Sequence, residues 1–234
     1  MKTRIKNYIR PAVSALKSAG RQKIFCIGAN KTGTTSLAAA LRELNIPVAA
    51  QRPAELLIQD WIRRDFRRIL RFCHTARAFQ DIPFSLLYTF QALDGRFPGS
   101  KFILTIRDNP EQWYSSLIRF QSQLFGGQLP DYDDLKNATY CYPGWMLEVN
   151  RAHYSTPDDD LYNKEIMMND YNFHNRSVME YFRYRTRDLL VINLAENGSY
   201  AKLCKFLGKP CLRESFPWEN RTADISVRFD LPEQ

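Results

Sequence analysis

Residues 23–36 read KIFCIGANKTGTTS, and this stretch predicts the fold of the chain. Residues 23–28 are a short apolar run that ends in glycine, which is typical of a buried strand in a parallel sheet. A turn of small residues follows, and residues 36–44 have the composition of a helix that stops before Pro47. A strand, a turn and a helix in this order can bind an anion, because backbone N–H groups of the turn and of the helix N-terminus face the ligand.

Strand and helix patterns continue to alternate along the chain. Apolar runs predict three further strands, at residues 77–80, 101–106 and 189–194. Helical patterns are found at residues 53–74, 84–93, 161–187 and 199–207, and at residues 110–126 with Asn109 as N-cap and Pro110 as the first helical residue. This order predicts an α/β fold, a three-layer P-loop-like domain with a central parallel sheet of four or five strands.

The domain organisation follows from the same pattern. We expect one domain over residues 23–222, preceded by a basic arm over residues 1–22 and followed by a tail over residues 223–234. Residues 127–160 lack a regular pattern, and we interpret residues 127–165, rich in Tyr and Asp, as an insertion or lid that binds the acceptor. The basic arm is mildly amphipathic, so it is either a short surface helix or a weak contact with a membrane surface.

Composition limits the class of protein. A 44% hydrophobic content is ordinary for a globular domain, and no run of about 18 apolar residues predicts a transmembrane helix. A formal charge of +8 favours an anionic partner. Much of this charge lies in an arginine-rich run over residues 63–77, which resembles a solvated helix face more than a nucleic-acid site. The cysteines form no CxxC pair and predict reduced core thiols in a cytoplasmic protein without a metal site. They are Cys26, Cys73, Cys141, Cys204 and Cys211.

The turn after the first strand differs from an ordinary nucleotide-binding P-loop. It keeps two glycines, Gly28 and Gly33, but Thr34 stands where the GxxxxGK[ST] pattern has lysine, and Lys31 lies inside the turn. Kinases and NTPases neutralise a triphosphate with Mg²⁺ and the loop lysine together. A sulfuryl group carries less negative charge than a phosphoryl group, so its transfer can proceed without a metal. We therefore interpret this turn as a site of sulfuryl transfer and not as a helix start that holds no ligand.

Two motifs give the sequence a specific resemblance. Residues 31–36, KTGTTS, resemble the 5′-phosphosulfate loop K-[ST]-G-T-T-x of sulfotransferases that depend on 3′-phosphoadenosine-5′-phosphosulfate (PAPS). Ser115 follows Arg107 by eight residues after a predicted strand, similar to the R-x7-S motif with which this family binds the 3′-phosphate. The similarity to compact bacterial-type members covers residues 23–125 and 170–222, and is poor over 127–165.

The resemblance implies a set of site residues. Lys31 would stabilise charge on the leaving phosphate oxygen, and Arg107 and Ser115 would hold the 3′-phosphate of PAPS. The R-K-G tripeptide that many cytosolic members place on this phosphate is missing, and Arg221 is a candidate to replace it. The residues expected to bind the rest of the 5′-phosphosulfate are Asn30, Lys31, Thr32, Gly33, Thr34, Thr35 and Ser36.

The general base is expected at a strand end. Residues 79–83 read FQDIP and match the family segment K-T-H-x-P with Asp81 in place of histidine. A carboxylate starts near pKa 3.9 and burial raises its pKa, so Asp81 can serve as the base, or it can cap a helix that begins near Pro83. His153 and His174 are alternatives, the latter at the predicted start of a helix.

We therefore expect an enzyme that transfers a sulfuryl group in line from PAPS, without a metal, to a hydroxyl or amine of a small molecule or glycan. Two alternatives stay open. One is a small-molecule kinase that uses ATP and Mg²⁺, and the other is a non-catalytic relic that still binds nucleotide. Neither a nucleic-acid partner nor an oligomeric state is indicated by the sequence.

Overall fold

A computed structural model describes residues 22–217 and contains a four-stranded, all-parallel sheet. Its strands are β1 (Ile24–Cys26), β2 (Ala78–Phe79), β3 (Lys101–Thr105) and β4 (Leu189–Ile192), in the order β2-β1-β3-β4. The predicted α/β fold with a parallel sheet is confirmed. The connection from β1 to β2 runs to one side of β1, and the connection from β2 to β3 returns to the other side. The carboxyl end of β1 therefore lies at a switch point, where α/β proteins bind ligands.

Helices lie between the strands in the predicted order. The first half of the chain contains α1 (Thr34–Glu43), α2 (Gln51–Glu55), α3 (Ile58–Ile62), α4 (Arg67–Phe72) and α5 (Thr89–Arg96). The second half contains α6 (Pro110–Leu124), α7 (Tyr132–Asn137), α8 (Trp145–Tyr154), α9 (Lys164–Tyr181) and α10 (Ser199–Leu207). The Asn109 cap of α6 is confirmed, since its side chain accepts a hydrogen bond from Gln112 N at 2.8 Å.

The prediction of one helix over residues 53–74 is wrong. Three short helices, α2, α3 and α4, replace it, and Arg64 between the last two has a left-handed backbone with φ 56°. A left-handed residue cannot continue a right-handed helix. Likewise, the helix predicted over residues 84–93 begins only at Thr89, after a cis Ile82–Pro83 peptide and a series of turns.

Residues 127–160 are also more regular than predicted. The helix α7 begins with a capping box in which Asp131 and Asp134 each accept a hydrogen bond from the other's backbone N–H. The helix α8 begins after Gly144, whose φ of 83° suits the left-handed turn that precedes it.

Two apolar layers confirm the three-layer architecture. Alternate residues of each strand point to opposite faces, so Phe25 and Phe102 pack on one face while Ile24 and Ile103 pack on the other. The first face is covered by aromatic side chains from α3–α5, α8 and α9, and the second by α1 and α10. Two tryptophans, Trp113 and Trp145, belong to the interior, since Trp113 is 1% exposed and Trp145 is 6% exposed.

All five cysteines are free thiols. Cys26, Cys73 and Cys204 are buried as predicted, but Cys211 is exposed after the end of α10 and is not a core residue.

Several sequence predictions fall outside the described residues. These are the basic arm over residues 1–21, the tail over residues 223–234 and the candidate phosphate ligand Arg221. Within residues 22–217, no helix is long and apolar enough to cross a membrane.

Candidate active site

The loop between β1 and α1 alternates right- and left-handed backbone. Lys31 has φ 70° and Gly33, the N-cap of α1, has φ 98°. Such alternation turns successive N–H groups toward one concavity and creates an anion-binding nest. The buried Thr32 fixes the loop from below, because its Oγ1 lies 2.5 Å from both Ala29 O and Thr105 Oγ1.

Gly28 is required where this loop leaves β1. A Cβ at this position would lie 2.1 Å from Thr105 Oγ1 and 2.5 Å from Thr105 O, so no other residue fits without movement of β3. The close approach lets Thr32 reach Thr105 and therefore sets the position of the loop.

Two cations lie together at this edge of the sheet. Arg107, directly after β3 and Ile106, donates from Nε to Lys31 O at 2.7 Å. Both side chains are half-buried, and neither forms an ion pair with any residue in the range 22–217. Two unpaired, partly desolvated cations form a site whose natural complement is an anion with more than one charge.

The Lys31 ammonium lies on an aromatic ring. Its Nζ is 3.4 Å from the centroid of the Phe120 ring on α6, a cation–π contact. Burial and the charge of Arg107 together lower the pKa of Lys31 to about 8, although the charge of Asp81 partly offsets both effects. A nearby anion would raise this pKa and hold the lysine in its charged form.

Asp81 lies two residues after the end of β2 and faces the loop. Its backbone is left-handed at φ 65°, and its Oδ1 accepts from Ile82 N at 2.9 Å. Burial and the charge of Glu55 together raise the pKa of Asp81 to about 6, although hydrogen bonds from Ile82 N and the Asn30 side chain and the charge of Lys31 act in the opposite direction. No helix begins at Pro83, so the alternative role of Asp81 as a helix cap is wrong.

The other predicted ligands occupy three kinds of position. Thr34 and Ser36 are buried in the first turn of α1, whereas Thr35 is exposed. Ser115 is exposed in the second turn of α6, about 200° around the helix from the buried Trp113. The structure thus brings Asn30, Lys31, Asp81 and Arg107 into one site and places Ser115 on the adjoining helix surface.

The two candidate histidines lie elsewhere. His174 is 3% exposed in the middle of α9, not at a helix start, and its Nε2 is 2.8 Å from Ile27 O. Burial lowers its pKa to about 4. His153 on α8 pairs with Asp170 at 3.3 Å and stacks on Tyr154. Neither environment is that of a base open to an acceptor.

A cleft of about 420 Å³ opens beside Arg107, between the start of α6 and α9. Its lining includes Asn109, Tyr171, Asn175 and Arg176. Tyr171 stacks on Trp113 with ring centroids 4.5 Å apart, and its hydroxyl accepts from Arg107 N at 3.1 Å. The floor of the cleft is therefore rigid next to the arginine.

Sequence reasoning missed the residues that surround Lys31 and Asp81. Phe120 has the pattern of an ordinary helix residue, Glu55 falls in the segment 53–74 predicted as a single helix, and Gln51 lies just before that segment. Glu55 is only 3% exposed, which no feature of its sequence neighbourhood indicates. Within residues 22–217, no group of three or more His, Cys, Asp or Glu side chains is placed to hold a metal ion.

A model of the sulfotransferase domain family matches residues 23–225, and the chain belongs to that family. Enzymes of this family are PAPS-dependent, and their chemistry is sulfuryl transfer to an acceptor. A search of curated proteins gave no significant match. Family membership therefore favours a PAPS-type donor over the ATP of the kinase alternative.

Proposed function

We propose that this protein is a sulfotransferase that binds PAPS across the loop after β1 and the end of β3, and transfers its sulfuryl group to a hydroxyl or amine of a small molecule or glycan. The observation that carries the proposal is the presence of two partly buried, unpaired cations, Lys31 and Arg107, at one edge of the sheet, where Arg107 Nε donates to the main-chain oxygen of Lys31 at 2.7 Å. PAPS carries a 5′-phosphosulfate and a 3′-phosphate, so it offers one anionic group to each cation.

The loop supplies the contacts to the 5′ end of the donor. Backbone N–H groups over residues 33–36, at the N-terminus of α1, would bind the 5′-phosphate, while the Thr32 N–H donates to Ala29 O at 3.3 Å. PAPS supplies the sulfuryl group, and the bond between sulfur and the bridging oxygen breaks as the acceptor attacks. Lys31 would leave the face of Phe120 and stabilise the negative charge that develops on the bridging oxygen.

Arg107 would select PAPS over nucleotides that lack a 3′-phosphate. A guanidinium binds a phosphate in two-point geometry, and Arg107 is oriented by the Lys31 carbonyl and lies beside the fixed Tyr171 hydroxyl. Ser115, exposed on α6, would contribute a hydroxyl to the same phosphate.

Asp81 would accept the proton that the acceptor loses. A base works best when its pKa is close to the operating pH, and the pKa of Asp81 is raised to about 6 by its surroundings. Tyr140 and Cys141, in the segment predicted to bind the acceptor, both contact Glu55, whose charge acts on Asp81. This contact supports an acceptor site between Tyr140, Cys141 and the end of β2.

Calorimetric titration of the metal-free protein with 3′,5′-ADP, 5′-AMP and ATP tests the donor site. We expect micromolar binding of 3′,5′-ADP, much weaker binding of 5′-AMP, and loss of this preference in Arg107→Ala. Arg119→Ala, on the exposed surface of α6, is the matched control and should bind as the wild type does. Equal affinity for 3′,5′-ADP and 5′-AMP, or tight binding of ATP only with Mg²⁺, would refute the proposal.

A further inference from the structure

The side chain of Gln51 joins two carboxylates next to the proposed reaction centre. Its Nε2 donates to Glu55 Oε1 at 2.8 Å and to Asp81 Oδ2 at 2.9 Å, so both of its amide hydrogens are used by carboxylates. Its Oε1 in turn accepts from Gln80 Nε2 at 3.4 Å. The amide is therefore held in one orientation, with its donors toward the acids.

Glu55 is anchored from the other side. Besides Gln51, its carboxylate accepts from the Tyr140 hydroxyl at 3.2 Å and pairs with Arg52 at 3.7 Å. A carboxylate that is 3% exposed and held by four groups, with Cys141 as the fourth, keeps its position. The fold therefore fixes a second carboxylate next to Asp81.

We propose that Gln51 and Glu55 are positioning residues for Asp81: Gln51 holds the Asp81 carboxylate in one orientation, and Glu55 fixes the Gln51 amide and places a second carboxylate next to Asp81. This inference rests on the proposed role of Asp81 as the general base. Neither residue touches the reacting atoms; both act through the carboxylate that does.

Gln51 and Glu55 change the pKa of Asp81 in opposite directions. The charge of Glu55 disfavours ionisation of Asp81, so its removal lowers the pKa of Asp81. The Gln51 amide donates to the ionised carboxylate and favours it, so its removal raises the pKa. Lys31 and Asn30 on the loop and the Ile82 amide also face Asp81 and favour the charged form, while Tyr140 faces it as a neutral phenol.

The chain contains a matched control for this network. Gln59 donates to Glu148 Oε2 at 2.6 Å, and the Tyr142 hydroxyl donates to the same oxygen at 2.5 Å. This second set has the same three residue types across α3 and α8, but Asp81 does not belong to it.

The titration of Asp81 can be measured without an acceptor. In protein with ¹³C-labelled aspartate, the carboxyl resonance lost in Asp81→Asn is followed by NMR against pH, with a wild-type midpoint expected near 6. We expect Glu55→Gln to lower the midpoint by roughly one pH unit, Gln51→Leu to raise it, and Glu148→Gln to leave it unchanged. An unchanged or higher midpoint in Glu55→Gln would overturn the inference, as would an equal shift in Glu148→Gln.

A kinetic measurement separates this inference from the proposed function. The probe is release of 3′,5′-ADP from PAPS with water as the acceptor, measured by chromatography from pH 5 to 8. We expect Asp81→Asn to lose most of this rate, and Glu55→Gln to shift its acid limb to lower pH with a reduced plateau. A wild-type rate in Asp81→Asn would refute the base in the proposed function. A strong loss in Asp81→Asn with an unshifted limb in Glu55→Gln would refute the positioning role alone.

Discussion

The Nε of Arg107 donates a hydrogen bond to the main-chain oxygen of Lys31 across 2.7 Å, and so ties the end of β3 to the loop after β1. The bond places two cations in mutual repulsion, and the charge of Arg107 helps to lower the pKa of Lys31. A donor with phosphates at both its 3′ and 5′ positions would neutralise both. The contact therefore contributes to the lowered pKa of Lys31, and this pKa should rise when the nucleotide binds.

This relationship predicts a pH dependence of nucleotide affinity. Lys31 must be protonated to bind the 5′-phosphate, and its pKa is about 8 in the free protein. We expect the affinity for 3′,5′-ADP, measured by calorimetry, to be greatest near pH 7 and to fall above pH 8, by at most about tenfold per pH unit. Below pH 7 it falls for a separate reason, because the phosphates of the ligand take up protons near pH 6. The bound phosphate raises the pKa of the lysine, so binding above pH 8 takes up protons.

The control for this prediction is Lys31→Arg. Arginine stays charged over the whole range, so the decrease above pH 8 should disappear even if the overall affinity is lower. An alkaline decrease that persists in Lys31→Arg would assign the titration to another group.

A second prediction separates the charge of Lys31 from its backbone strain. Replacement by Ala or by Gly removes the ammonium, and we expect either variant to lose about 10²–10³-fold in transfer rate, as when one preorganised donor to a developing oxyanion is removed. The two should differ in stability. Because φ is 70° at this position, which glycine adopts more easily than alanine, Lys31→Gly should be the more stable variant. Its free energy of unfolding should be about 1 kcal/mol higher than that of Lys31→Ala.

Denaturant titration measures that difference, and Lys164→Ala serves as the control for loss of a surface cation. A wild-type rate in both Lys31 variants would contradict the role of the lysine. Equal stability of the two variants would contradict the left-handed conformation instead.

The third prediction compares neighbouring serines on α6. Ser115 is exposed, while Ser116, one residue further around the helix, is half-buried. We expect Ser115→Ala to weaken 3′,5′-ADP binding by about 1 kcal/mol, the usual contribution of one hydrogen bond, and to leave 5′-AMP binding unchanged. Ser116→Ala is the matched control. If it lost the 3′-phosphate preference while Ser115→Ala kept it, the wrong serine would have been assigned.

The sequence predicted the elements whose signal is local. The apolar run before Gly28 and the Asn109–Pro110 helix start depend on neighbouring residues only, and both are found in the structure. The helix predicted over residues 53–74 is wrong because its apolar spacing is compatible with three short helices, and a left-handed turn at Arg64 has no local sequence signal.

Part of the candidate site was not predictable for a different reason. Glu55 has the composition of a surface residue, and its burial depends on Tyr140 and Cys141, which lie more than eighty residues later in the chain. Side chains whose role depends on such distant partners cannot be assigned from residue type and spacing. The placement of Lys31, Asp81 and Arg107 at one edge of the sheet could be predicted, because each follows the carboxyl end of a strand within five residues.

The fourth prediction concerns the glycine that brings the loop against β3. We expect Gly28→Ala to destabilise the protein by about 1–3 kcal/mol, the usual cost of overpacking, because the new Cβ would lie 2.1 Å from Thr105 Oγ1. The Thr32–Thr105 contact would separate with it, so 3′,5′-ADP binding should weaken in parallel.

Gly95→Ala is the matched control for this substitution. Gly95 lies on the exposed side of α5, no atom lies within 4 Å of a Cβ built there, and alanine in a helix is favoured over glycine by about 0.5–1 kcal/mol. The two glycine-to-alanine changes should therefore shift the free energy of unfolding in opposite directions. If Gly28→Ala kept both wild-type stability and wild-type nucleotide affinity, the close approach of the loop to Thr105 would not be what positions the phosphate site.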